Sequence, residues 1–559
     1  MTRDFKKLLV LLGLTAGLSL GGKVSDDLKE AKDNDEGDVI VQFLAPPSNS
    51  ELARLGLHKW TFATGKDALI RMKGSTIKKL EKDPNVIFIS PDRQLNGTLE
   101  YANPGVYANM AFSSGWTGSG IGVAVVDSGI EPTADDLKND SCGASRVVYK
   151  ANFVAGETTT ADTYGHGSHV AGIIGGNSKC TGDTMTRLFR GIAPSANIIS
   201  LRALNSLGVG TDSAVIAAID AAVSLKSAYN IRVLNLSLGR GIKESYTIDP
   251  LCQAVERAWK AGIVVVVSAG NMGRYASTKG YGMISSPGND PFVITVGAMN
   301  DKGSASRGDD IMATYSSKGP SLLDHVVKPD LVAPGNSIMS LLAIGKTLAL
   351  LFPGNIPKES YYTTKTGNTA SDEYMKLSGT SMAAPMVSGA AALLLHKNPS
   401  LTPNQVKARL MKTASKNLPY SMSVYEALTN TTYTMYKDAF TIGAGYLDIN
   451  AALANNDSIQ APSTTALSPR VSFNSSTKKV SLVTSNSLVW GDNLVWGDNL
   501  VWGDNLVWGD STIFGSNLVW GDTAMSGNSL VWGDSLVSSS SLIWGDTATA
   551  NAVLELGDQ

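Results

Sequence analysis

Apolar residues are spaced in several different ways along this chain, and the changes of spacing divide it. Leu8 to Leu20 is a nearly unbroken apolar stretch. Asp38-Val39-Ile40-Val41-Gln42-Phe43 alternates like a strand, and Val86-Ile87-Phe88-Ile89 reads as a closing strand. Between them Leu52 and Leu55, then Ile77 and Leu80, fall at helical spacings, so a small sheet with two helices is predicted for 38–91. A Gly/Asn/Ser-rich joint covers roughly 95–120. From about 120, apolar strands alternate with helical stretches. The strands are Ile121–Asp127, Asn197–Leu201, Val233–Leu238, Ile263–Ser268 and Phe292–Val296. One helix covers 212–227. Another starts with Asp249 as N-cap and Pro250 in its first position, with Leu251, Ala254, Val255 and Ala258 on one face. The pattern predicts an α/β fold: a mostly parallel sheet with helices on both faces. In such sheets, sites gather at the carboxyl ends of the strands.

The Leu8–Leu20 stretch is too short for the ~20 residues that span a bilayer. Arg3, Lys6 and Lys7 precede it, and Ser19 and Gly21 offer a cleavage point. Residues 1–22 are therefore expected to be a signal peptide, and the protein to be secreted or extracytoplasmic. No other segment has 18 unbroken apolar residues, so no membrane span is expected. Over 559 residues the net charge is −2, which gives no electrostatic case for a nucleic-acid partner. Hydrophobic residues make up 43%, enough for a sizeable core. Three Cys cannot form the main scaffold. Cys142 and Cys180 lie in polar loops on either side of His166, where export permits a disulfide; Cys252 sits on an apolar helix as a buried thiol.

Residues 456–485 are rich in Ser, Thr, Asn and Ala and read as a linker. Beyond them, over 486–559, Leu-Val-Trp-Gly-Asp plus one polar residue repeats as a hexad, with Trp at 490, 496, 502, 508, 520, 532 and 544. Leu556-Gly557-Asp558 falls in phase with it. Extended, the hexad keeps Leu and Trp on one face, because six is even. The hexads can satisfy one another, so the tail is expected to be a module on which the preceding domain does not depend.

Three short segments carry candidate chemistry. Asp127 ends the strand Gly122-Val123-Ala124-Val125-Val126 and precedes Ser128-Gly129; a carboxylate there is costly unless it is paired. Alone it could be a turn or N-cap Asp. His166 lies in Gly165-His166-Gly167-Ser168-His169-Val170-Ala171-Gly172. A lone His is commonly a satisfied core residue, and the His166/His169 spacing lacks the acidic or Cys ligand of a metal site. Ser381 lies in Gly379-Thr380-Ser381-Met382-Ala383-Ala384-Pro385 at the head of a helix, whose N–H groups suit a developing oxyanion. By itself it could be an ordinary N-cap. Asn271, after strand Val264–Val267, could donate its amide to the same crevice or simply form a turn.

The order Asp127, His166, Ser381 is that of subtilisin. Asp127-Ser128-Gly129, Gly165–Gly172 and Gly379–Pro385 each match a signature block, and so do Asn235–Gly239, Tyr315–Pro320 and Lys328–Gly335. Over 104–455 the chain resembles a subtilase, a subtilisin-like serine peptidase. The resemblance implies an endopeptidase acting on protein and peptide substrates. Ser381 would be nucleophile, His166 general base, Asp127 its orienting partner, and Asn271 with the Ser381 N–H the oxyanion donors. It implies substrate contacts at Ser237, Leu238 and Gly239, at Ser268, Ala269 and Gly270, and at Gly208. It also implies that 38–95 is an inhibitor-like propeptide, acting as an intramolecular inhibitor and cut off between Arg93 and Pro104. No cofactor is required for the chemistry. Calcium stays unassigned: Asp136 sits where an acidic ligand often falls, yet Asn177–Arg190 lacks the family's calcium pattern. Residues 336–376 are longer than a minimal member needs and are expected as a loop near the groove. A catalytically dead scaffold that binds proteins is the competing class, against which the four intact candidates argue. An α/β-hydrolase esterase fails, since no G-x-S-x-G surrounds Ser381.

Overall fold

The computed structural model describes residues 32–456 apart from 62–65, 92–98, 132–133, 181–184, 276–277, 366, 368 and 427–429. It also describes 23, 24, 28, 466–474, 479–483, 542, 543 and 558. The expected signal peptide and the hexads of 486–541 lie outside the described residues. The chain divides into two compact units, Met1–Asn96 and Gly97–Gln559.

The first unit is an antiparallel sheet of β1 (Glu36–Phe43), β2 (Leu57–Thr61), β3 (Asp67–Lys73) and β4 (Val86–Pro91), in the order β2-β3-β1-β4. Two helices complete it, α1 (Asn49–Leu55) and α2 (Gly74–Leu80). α1 starts where Ser48 and Glu51 cap each other's backbone, and it buries Leu52. The alternation of β1 buries Val39, Val41 and Phe43 against Ile77 and Leu80 of α2 and Ile89 of β4.

In the second unit β5 (Gly122–Asp127), β6 (Val147–Asn152), β7 (Asn197–Arg202), β9 (Ile231–Leu236), β10 (Val264–Ser268) and β11 (Ile294–Asn300) form a parallel sheet, joined by β13 (Leu331–Pro334) alongside β11. Only β12 (Ile311–Met312) runs antiparallel, at one edge. β5 and β10 are buried at every position, which is why they read as continuous apolar runs. Helices α3 (His166–Gly175) and α6 (Thr380–Lys397) pack on each other, while α4 (Asp212–Ser224) packs on α5 (Pro250–Lys260). α6 is buried from Thr380 to Leu395. α7 (Pro403–Thr413) follows.

The long segment 336–376 is a β-hairpin, β14 (Ile338–Leu341) with β15 (Tyr374–Leu377), capped by a short helical turn at Thr347–Leu351. That turn borders the His166 loop: Leu348 N–H donates to Tyr164 O at 2.9 Å, and Thr347 Oγ1 donates to Ser206 O at 2.7 Å.

One expectation about the C-terminal part changes. Residues 466–474, expected within a linker, are built into the second unit. Ser468 is buried, donating to Asp330 Oδ1 at 2.5 Å and accepting from Lys407 Nζ at 2.8 Å. Asp330, Lys328 and Lys407 form a fully buried ion cluster whose polar atoms need such a partner. At three described positions of the tail the chain meets the second unit. Leu542–Ile543 pairs antiparallel with β8 (Val209–Gly210), and Asp558 is buried in the second unit.

Candidate active site

Asp127 ends β5 and His166 starts α3, and the two meet side chain to side chain. His166 Nδ1 lies 2.7 Å from Asp127 Oδ1, with both side chains almost wholly buried. Nδ1–H donating to the carboxylate leaves Nε2 as the basic nitrogen of the ring. The same Asp127 oxygen accepts from Ser128 N–H at 2.7 Å.

Close approach is possible because Gly167 has no side chain. A Cβ there would lie 2.2 Å from Gly129 O and 3.2 Å from Asp127 Cβ. Asp162, not singled out from the sequence, organises this loop. It accepts from Ser128 Oγ (2.8 Å), Gly165 N–H (2.7 Å), Ser168 N–H (2.8 Å) and Ser168 Oγ (2.7 Å). Ser128 Oγ in turn accepts from Gly167 N–H at 2.9 Å. The start of α3 is thereby tied to the turn after β5. Burial pushes the Asp162 carboxyl above its usual range, against these hydrogen bonds.

Ser381 sits in the first turn of α6, beside the turn that follows β9. Its Oγ donates to Ser237 O at 3.3 Å, and Ser237 Oγ donates to Ser381 O at 2.9 Å. Asn235 holds Ser237 through Nδ2 at 2.9 Å and is itself held by Ser388 from α6 at 2.8 Å. Leu238 is buried next to it. Asn271 comes to the same helix start from the turn after β10. Its Oδ1 accepts from Thr380 N–H at 2.9 Å and from Thr380 Oγ1 at 3.0 Å. Thr380 Oγ1 also accepts from Gly270 N–H at 3.2 Å. Gly379, at φ +150°, leaves open the space facing both amides: a Cβ there would lie 3.2 Å from Asn271 Nδ2 and 3.7 Å from Ser381 N.

Six of the seven expected substrate-contact residues belong to the segments that follow β9 and β10 or end β10. Gly239 and Gly270 face each other across Ser285: a Cβ on Gly239 would lie 2.6 Å from Ser285 Oγ, and one on Gly270 3.3 Å from it. Ser268 ends β10, and Ala269 links β11 to this segment through Ala269 N–H to Val296 O (3.0 Å) and Ser285 N–H to Ala269 O (3.1 Å). Gly208 lies apart from them, against the Tyr164 ring on the His166 side, where a Cβ would come within 2.6 Å. Thr380 and Ser285 were not anticipated. Thr380 was legible as a hydroxyl beside Ser381, but Ser285 reaches the site only through the turn before β11.

His169 does not join His166. Its Nε2 donates to Ile338 O (3.0 Å) and Met375 O (3.2 Å), and burial lowers its pKa to about 3, keeping it neutral. Asp136 is likewise absorbed by the protein. Tyr374 OH donates to its Oδ2 at 2.7 Å, and burial raises its pKa to about 6. The Arg146 guanidinium donates to Asp136 O (2.8 Å), Lys138 O (2.9 Å) and Ala196 O (2.9 Å). A cation among those carbonyls does not fit calcium, which needs six to eight oxygens of its own. Among the described residues no three His, Cys, Asp or Glu side chains group as metal ligands. Cys142 and Cys180 are joined in a disulfide, and Cys252 is a buried thiol with its pKa raised by burial.

A parallel sheet carrying an Asp–His pair and a helix-borne Ser at adjoining strand ends defines a class of hydrolase. Residues 118–445 match the model of the subtilase family, and the chain belongs to that family as a subtilisin-like serine peptidase. It is similar to the serine protease AprX of Bacillus subtilis strain 168, at 35% identity over 62% of this chain and 74% of that protein. It is also similar to subtilisin DY of Bacillus licheniformis, at 32% identity over 64% of this chain and 98% of that one. Subtilisin E of Bacillus subtilis strain 168 is 35% identical over 61% and 73% of the two chains.

Proposed function

We propose that this peptidase is a secreted endopeptidase, made as a self-processed zymogen, that cleaves proteins through an acyl-enzyme on Ser381. The observation that carries this reading is the buried 2.7 Å bond between Asp127 and His166, in a fold that sets Ser381 at the start of the helix packed on α3. Ser381 Oγ attacks the peptide carbonyl, and His166 Nε2 takes its proton and then delivers it to the leaving amine. Asp127 holds the ring in the Nδ1–H tautomer and stabilises its cation. Ser381 N–H and Asn271 Nδ2 receive the oxyanion in the space left at Gly379. The substrate lies as a strand along Ser237, Leu238 and Gly239, bounded by Ser268, Ala269, Gly270 and Gly208.

In this reading residues 1–22 direct export and the 38–95 unit serves as the intramolecular inhibitor until it is cut away. The test is treatment of the purified chain with an organofluorophosphonate, followed by peptide mapping. A single phosphonyl adduct on Ser381 with loss of hydrolysis is expected. An adduct elsewhere that abolishes hydrolysis would overturn the assignment.

A further inference from the structure

Asp558 is buried to 4% exposure, and its carboxylate oxygens, backbone N–H and backbone C=O are all hydrogen-bonded. Arg274 Nη2 donates to Oδ1 at 2.8 Å and Thr314 N–H donates to Oδ2 at 2.9 Å. Thr314 Oγ1 also donates to Oδ1. The backbone is read as closely as the side chain. Asp558 N–H donates to Asn336 Oδ1 at 2.7 Å, and Asn336 Nδ2 returns a bond to Asp558 O at 3.1 Å, with Asn300 Nδ2 at 3.5 Å. Arg274 is held in place by other groups as well: its Nε donates to Thr314 Oγ1 at 2.7 Å, and its guanidinium lies over the Tyr433 ring.

We propose that Arg274, Thr314, Asn300 and Asn336 form a binding site for an aspartyl residue of an extended peptide, filled here by the chain's own Asp558. Three donors converge on the carboxylate, so an Asn in that place would set its NH2 against a donor and a Ser would fall short of them. The paired bonds to Asn336 recognise the backbone N–H and C=O of one residue regardless of its side chain. The carboxylate contacts then select Asp. Asp558 stands in the phase of the Gly-Asp pairs that recur from 491 onward, so the site reads the element the tail repeats. Leu542–Ile543 on β8 is a second point at which the tail meets this unit.

The experiment uses the full chain carrying Ser381→Ala to prevent self-digestion, with Asp558→Ala to remove the resident carboxylate and weaken the tail's hold on the site. A fluorescent peptide Leu-Glu-Leu-Gly-Asp-Gln is offered at millimolar concentration, comparable to the effective concentration a short tether supplies. Saturable binding is expected, at least about tenfold weaker for the Asp→Asn peptide and for a chain also carrying Arg274→Gln, equivalent to about 1.4 kcal/mol. Chains that retain Asp558 should bind at least as weakly. In parallel, hydrogen exchange at the Thr314 amide should accelerate in Asp558→Ala and slow again with peptide. Absence of binding, equal binding of the Asn peptide, or Thr314 exchange unaffected by Asp558→Ala would each overturn the proposal. Asp558→Asn, which keeps the backbone bonds, provides the same exchange readout if the alanine variant does not fold.

Discussion

Thr380 meets Asn271 twice, donating to the same Oδ1 through its backbone N–H at 2.9 Å and its Oγ1 at 3.0 Å. With the carbonyl side of the amide occupied, Nδ2 is turned to the side left open by Gly379, close to Ser381 N. In the proposed mechanism these two groups are the oxyanion donors, and they are aligned before any substrate arrives. Such preorganisation is what makes a hydrogen bond worth more in a transition state than in water. The alignment depends on two segments, the turn after β10 and the start of α6, so these two elements must keep their mutual packing.

Thr380→Val should remove one of those two bonds and keep the volume. We expect kcat to fall about tenfold with KM nearly unchanged, corresponding to ~1.4 kcal/mol of transition-state stabilisation. Thr380→Ser, which keeps the hydroxyl, should recover most of the rate. Steady-state kinetics on one chromogenic peptide will check it. A rise in KM at constant kcat would assign Thr380 to ground-state binding instead.

Ser381→Ala should leave the fold intact and abolish hydrolysis. It should also accumulate with the 38–95 unit attached, because maturation is proposed to be self-cleavage. N-terminal sequencing and peptide hydrolysis of the purified variant are the measurements. A mature N-terminus between 93 and 104 in the absence of added protease would mean that another enzyme makes the cut.

The Cys142–Cys180 bridge closes a segment of 38 residues that includes the start of α3. On chain-entropy grounds, replacing both Cys with Ser should cost about 4 kcal/mol of stability. Activity at 25 °C on a short peptide should change little, since neither Cys touches His166, Asp127 or Ser381. Denaturant melts of the variant against the parent, with parallel assays, will show whether the loss is confined to stability.

Much of the fold was legible because burial writes itself into the sequence. β5, β7, β9, β10 and β11 are apolar runs, and Asp249-Pro250 announces α5. β6 was not legible: it lies at the sheet edge, half exposed, and its Tyr149, Lys150 and Asn152 break the apolar run. β13 is only four residues long, Leu331–Pro334. In the site, Asp127, His166, Asn271 and Ser381 stood out because each follows a strand or heads a helix in a glycine-rich setting. Asp162 did not, because its function is to bind backbone N–H groups in a loop, and nothing in a loop's composition marks that. The roles of Ser468 and Asp558 were illegible for a related reason. Each is one polar residue in a Ser/Thr/Asn- or Gly-rich stretch, and only the buried charges they meet, Asp330 with Lys407 and Arg274, give them a place.

Asp301 offers a pH-dependent test. It is 2% exposed, and burial with Asp310 and Asp309 nearby raises its pKa to about 7. Its Oδ1 accepts from Gly303 N–H at 3.1 Å, while Oδ2 has no hydrogen-bond partner among the described residues. An unfolded Asp titrates near ~3.9, so between that pH and about 7 the folded chain holds a proton the unfolded chain has lost. Stability contributed by the protonated carboxyl is therefore complete below the unfolded value. It is lost as pH rises towards the folded value. Asp301→Asn cannot ionise, keeps an acceptor for Gly303, and presents an NH2 towards the carboxylates. The variant should melt higher than the parent at pH 8, by roughly 1 °C per kcal/mol regained in a unit of this size. That gain should shrink at pH 5 and vanish near pH 4. Melting temperatures of both proteins, in the Ser381→Ala background, at these three pH values will decide. A gain of equal size at all three would mean that packing, and not the buried charge, limits stability there.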